Sequence, residues 1–80
     1  MTTDLSGPMR EIHPMPEDIR KLLKDRGLYD RYEARPPYQQ NDYLGWIAQA
    51  KREGTRHNRI EQMLDELEVG GLYMKMRWTG

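Results

Sequence analysis

The sequence predicts an all-α domain of four helices, two short and two longer, with a disordered N-terminal arm over residues 1–15 and an extended C-terminal tail over 72–80. Three observations carry this. The 80 residues suffice for one domain with a thin core. Apolar residues recur at helical spacing between residues 16 and 71, where the domain is placed. Cysteine is absent, so packing has to supply the stability that a small chain otherwise draws from disulfides or a cysteine-bound zinc.

The elements follow in order. Residues 1–15 hold Gly7, Pro8 and Pro14 among scattered polar residues and show no period. Pro16 suits a first helical turn, with Glu17 and Asp18 at the positive end of the helix dipole and Ile19, Leu22 and Leu23 facing inward. Gly27 is the expected left-handed stop. Leu28, Tyr29 and Tyr32 space a short second helix that ends before Pro36 and Pro37. The third helix, expected over about 39–52, places Tyr43, Trp46, Ile47 and Ala50 within an arc of about 100°, with Leu44 and Ala48 on the other side. An element apolar on two faces is expected to be sandwiched, and Trp46 is expected to be its hub. Gly54 is read as a break and Thr55 as the N-cap of the fourth helix, whose stripe is Ile60, Met63, Leu64 and Leu67 and whose stop is Gly70 and Gly71. Leu72 to Trp78 alternates apolar and polar residues, the pattern of an extended segment. Its expected place is along the helices, or paired as a strand with Met9 to His13 or with another chain.

Hydrophobic residues make up 36% of the chain against 32% charged, and the mean hydropathy is -1.03, so the folded middle is expected to carry polar ends. Thirteen basic residues balance thirteen acidic ones, which gives no overall field for nucleic acid or anionic lipid. No stretch approaches the roughly 18 apolar residues of a membrane helix, and the start lacks a basic region followed by an apolar run. The expected location is the cytoplasm.

The run Pro36-Pro37, Asp42-Tyr43-Leu44-Gly45-Trp46-Ile47, Ala50-Lys51-Arg52, Thr55-Arg56 and Arg59-Ile60 resembles the helical module of the bacteriocin-protection, YdeI or OmpD-associated family. Pro16 to Leu28 is similar to the helix preceding that module, so the resemblance spans about 16–70. The chain departs from the family pattern at Tyr38-Gln39-Gln40, at Glu53-Gly54 and at Asn58. The resemblance implies a bacterial setting and an association with tolerance of bacteriocins or antimicrobial peptides and with an outer-membrane porin. It implies no reaction and no active site, and the tail looks like that of a short, free-standing branch.

The most pointed feature is the basic cluster Lys51, Arg52, Arg56 and Arg59, opposed locally only by Glu53. The plainer reading is structural, with Arg56 pairing across the helix interface to a carboxylate such as Asp42. The same charges also suit an acidic protein surface or nucleic acid. His13 and His57 have no metal-binding spacing, and Glu61, Asp65, Glu66 and Glu68 read as a wet helix face. Tyr73, Met74, Met76 and Trp78 form an adaptable contact surface, since methionine repacks against varied partners, or else cap the core. Ser6 is the sole serine and has no histidine and acid arranged around it, which excludes nucleophilic catalysis. The sequence therefore predicts a non-catalytic interaction module that uses no cofactor and no metal. Its partner is a protein or peptide, with weak nucleic-acid binding as the alternative.

Overall fold

A computed structural model describes residues 12–77. Residues 1–11, among them Ser6, and Trp78 to Gly80 lie outside the described residues, and with them most of the expected arm and the end of the expected tail. Four helices are present in the described chain: α1 (Glu17–Asp25), α2 (Tyr29–Glu33), α3 (Pro37–Ala48) and α4 (Glu53–Val69). They are followed by strands β1 (Leu72–Tyr73) and β2 (Met76–Arg77). The fold is mostly α, as the periodicity predicts.

The end of α1 is set by backbone chemistry. Gly27 takes φ +68°, the Leu28 N–H reaches the Leu23 carbonyl at 2.8 Å and the Gly27 N–H that of Lys24 at 3.1 Å. This pair of bonds, with Leu23 and Leu28 buried beside it, is a Schellman stop. The five-residue α2 is too short to persist alone. Its arginines tie it to α4, with Arg31 donating to the Glu68 carbonyl at 2.7 Å and Arg35, just beyond α2, to the Glu66 carbonyl at 3.0 Å.

Both longer helices start earlier than their sequence signals suggest. Pro37 is itself the first residue of α3 and Gln49 its C-cap, so the helix is shifted toward the double proline, which suits a helix start. In α4 the N-cap is Arg52, with no side-chain capping bond. Gly54 and Thr55 therefore sit inside the first turn, where Glu53 complements the dipole.

The core joins all four helices: Ile19, Leu23, Leu28, Tyr32, Tyr43, Leu44, Ile47, Ile60, Met63, Leu64 and Leu67. Its centre is Tyr43, with no exposed surface. Trp46, expected to be the hub, is only partly buried and packs on the core from outside. Its ring lies beneath the Arg59 guanidinium, 5.1 Å from the centroid, and its carbonyl accepts from Arg59 Nη1 at 2.6 Å. One helix position cannot place both Tyr43 and Trp46 centrally when Leu44 and Ile47 are also buried, and the smaller aromatic takes the interior.

The expected sandwiching of α3 is met by α4 on one side and by residues 12–15 on another. The His13 N–H donates to Asn41 Oδ1 at 2.7 Å, and Met15 packs against the core. The close approach needs Gly45, since a Cβ there would lie 2.7 Å from His13 Nε2. Residues 12–15, assigned from sequence to the arm, thus run against α3.

The tail forms a hairpin on itself, with Leu72 opposite Arg77 and Tyr73 opposite Met76. The expected places are along the helices, or paired with Met9 to His13 or with another chain; among the described residues the tail packs on the helices through Tyr73 and Met74 and its strands pair with each other. Met74 and Lys75 form the turn at φ 51° and 66°, and Met-Lys is not a pair that signals such a turn.

Replacing Tyr43 by Ala is expected to cost about 3–5 kcal/mol by denaturant titration, against roughly 1–2 kcal/mol for Trp46→Ala. The reverse order would return Trp46 to the centre.

Candidate functional site

The acidic face of α4 is where sequence and structure part most usefully. Glu66 is 3% exposed, whereas Asp65 and Glu68 are exposed and Glu61 pairs with Arg26 at 3.1 Å. Glu66 lies one turn after Met63 and next to Leu67, both buried, which puts it on the inward stripe.

Every oxygen of Glu66 is engaged. Oε1 accepts from the Tyr43 hydroxyl in a short bond and from the Met74 N–H at 2.8 Å. Oε2 accepts from Gln62 Nε2 at 3.1 Å and from the Lys75 N–H at 2.8 Å. The network continues from the Glu66 carbonyl to Arg35, which is 4% exposed. Arg35 Nη1 then donates to Gln39 Oε1 at 3.1 Å, and Gln39 Nε2 to the Tyr38 hydroxyl at 3.2 Å. A buried carboxylate is tolerated because these donors replace its water.

Burial pushes the pKa of the Tyr43 hydroxyl well above the usual phenol range, helped by its bond to Glu66 and that group's charge and opposed by Arg35. Tyr32 is pushed up to about 12, first by burial and then by Tyr29 and Glu33.

The hairpin sits on this carboxylate. Its left-handed turn residues each cost roughly 1–2 kcal/mol relative to ordinary backbone, and the two turn amides converge on Glu66 as a nest converges on an anion. Tyr73 adds a second anchor. Its hydroxyl donates to Asp42 Oδ2 at 2.5 Å, and its ring meets Tyr43 and Tyr38 edge-on at centroid distances of 5.5 and 6.0 Å.

The basic cluster does not converge on one surface. Lys51 and Arg52 are exposed, and Arg59 is drawn back onto Trp46. Arg56 grips Asp18 of α1 through both nitrogens, at 2.7 and 3.2 Å, and not the expected Asp42. The start of α4 lies beside the start of α1, while Asp42 faces the hairpin. The Asp18 carboxyl is held below its usual 3.8 chiefly by the bond to Arg56. Of the tail candidates, Tyr73 and Met74 are half-buried and Met76 is 59% exposed. Trp78 lies outside the described residues.

Two open clefts border the site. One of about 280 Å³ lies between α3 and the hairpin, against His13, Asp42, Trp46, Gln49, Tyr73 and Met74. Another of about 320 Å³ lies between residues 12–15 and the first three helices, against Met15, Arg20, Tyr29 and Tyr32. Among the described residues, no group of three His, Cys, Asp or Glu side chains is placed to hold a metal. No described helix is long and apolar enough to cross a membrane.

Glu66→Gln keeps the shape but puts an amide donor where a turn N–H already points, so stability is expected to fall by about 2–3 kcal/mol, with loss of exchange protection at Met74 and Lys75. For the ion pair, the lowered Asp18 value means its stabilisation is complete above 3.8 and vanishes as pH falls through the folded-state value. Asp18 is largely exposed, so Arg56→Gln is expected to cost at most about 1 kcal/mol near neutrality. The melting curves of the two proteins should converge as pH falls below 3.8 through the lowered value.

No curated protein and no solved structure matches the chain. The family model for bacteriocin-protection, YdeI or OmpD-associated proteins matches residues 13–70, which takes in all four helices and stops before the hairpin. On that match, which covers most of its length, the chain belongs to the bacteriocin-protection, YdeI or OmpD-associated family.

Proposed function

We propose that the chain is a small non-catalytic binding module that works in the cytoplasm and serves tolerance of bacteriocins or envelope stress through a protein or peptide partner. The contact face is the exposed edge where the Tyr73 side of the hairpin meets the start of α3. The observation that supports it is a contiguous aromatic and thioether edge on a rigid support. Tyr38 is 49% exposed and Met76 59%, and they flank Tyr73. Tyr38 meets the Tyr73 ring, and Met76 is directly opposite Tyr73 across the strands, which places their side chains on one side of the hairpin. Tyrosine and methionine are the residue types that interfaces favour, and the exposed Lys75 and Arg77 supply a charged rim.

A non-catalytic role is supported by how the buried polar groups are used. Arg35, Gln39, Tyr43 and Glu66 are engaged with one another and with the backbone, which is work of structural support. A cytoplasmic setting is supported by a chain without cysteine, held by packing and hydrogen bonds. The nucleic-acid alternative draws less support, because Arg56 and Arg59 are committed within the protein and leave Lys51 and Arg52 as its exposed cations.

Capture from extracts of the native cells by the wild-type chain and by the double variant Tyr38→Ser/Met76→Ser tests this reading. A specific partner retained by the first and reduced at least fivefold by the second is expected. Equal retention sinks the assigned face. Short DNA or RNA fragments that move the amide signals of Lys51 to Arg59 at low salt would favour the alternative.

A further inference from the structure

The hairpin lies beyond the stretch shared with the family, residues 13–70, whereas the groups that receive it all lie inside that stretch. The receiving groups are held independently of the hairpin. Tyr43 and Gln62 fix the Glu66 carboxylate, Arg35 fixes the helix beneath it, and the Tyr38 hydroxyl is tied to Gln39. What remains presented outward is one direction on each Glu66 oxygen, matched to two successive backbone amides at 2.8 Å each. Beside it, Asp42 accepts a phenol hydroxyl at 2.5 Å, and Tyr43 and Tyr38 offer ring contacts.

This geometry reads a tight turn by its backbone. Here two consecutive N–H groups, one on each oxygen, meet the carboxylate from a turn whose two residues are both left-handed, and the tyrosine is read just before them. The occupant in place is poorly suited to the turn it makes. Met74 and Lys75 both take positive φ without being glycine, and asparagine-glycine is the favoured pair. The tether is Gly70 and Gly71, exposed, with Gly70 at φ +89°.

We propose that Glu66, Asp42, Tyr38 and Tyr43 form a receptor for a tyrosine-led tight turn of a partner polypeptide, and that the chain's own hairpin is a cis occupant which the partner's turn displaces. Tyr38 belongs both to this receptor and to the proposed contact face, so the test is made at Tyr73, Met74 and Lys75, which separates the two readings.

The probe is a backbone-cyclised hairpin peptide carrying Leu-Tyr-Met-Lys-Met-Arg, titrated by NMR into the full chain, into Tyr73→Ala and into Met74→Asn/Lys75→Gly. A tethered occupant competes at an effective concentration on the order of millimolar. The peptide should therefore bind Tyr73→Ala at least tenfold more tightly than wild type, and the tightened-turn variant more weakly than wild type. The shifts should centre on Glu66, Tyr43 and Asp42. In wild type, the Met74 and Lys75 amides should exchange with solvent at least a hundredfold faster than those of Leu64 and Leu67, which reports release of the hairpin without global unfolding. Equal affinities, no binding to any of the three, or turn amides that exchange only with the core overturns the proposal. Should Tyr73→Ala fail to fold, the wild type against the tightened turn and the exchange rates decide it.

Discussion

A single buried carboxylate sets the terms for the rest of this fold. A carboxylate away from water is tolerable only while its lone pairs are met, and the donors that meet those of Glu66 come from α3, from α4 itself and from the hairpin turn. Taking any one away leaves a charge or a donor stranded in a low-dielectric interior. The positions of Tyr43, Gln62 and the turn are thus coupled through one group more tightly than apolar packing alone would couple them.

The coupling also accounts for a turn that local sequence disfavours. Met74 and Lys75 would not choose left-handed backbone in isolation, and a two-stranded hairpin this short has little stability of its own. Two charge-assisted bonds to Glu66 and the three-way meeting of Tyr38, Tyr43 and Tyr73 supply what the strands lack. The hairpin is an appendage of the helical module and not a sheet that helps to form it.

Much of the helical part was legible in the residues. The stripes of α1 and α4, the stops at Gly27 and Gly70 and the corner at Pro36 and Pro37 depend on local backbone rules, which act where the residues stand. Helix starts were less legible, because Thr55 is a better cap in isolation than Arg52, and the observed start follows from how α3 and α4 meet. Trp46 outranked Tyr43 by size alone, yet which of two neighbouring aromatics turns inward is decided by Leu44, Ile47 and the partners available to a hydroxyl. Glu66 did leave a signal, since its spacing from Met63 matches the apolar stripe, but composition grouped it with the exposed acids. The strands of the hairpin show in the alternation over Leu72 to Trp78, but its turn left no signal, because it is dictated by a residue eight positions away in the chain. Arg56 was correctly singled out as reaching across a helix interface, with Asp18 as its partner and not Asp42, since pairing across helices depends on their crossing and not on spacing.

The arginines that bridge α2 to the last turn of α4 bear on how the chain assembles. Five residues make a poor helix alone, and Arg31 and Arg35 reach carbonyls in the last turns of α4, that of Glu68 and that of Glu66, which also accepts the Gly70 N–H. The longest helix thus lends part of its order to the shortest, which Tyr32 and Leu28 also anchor in the core, so fraying at the far end of α4 is felt first in α2.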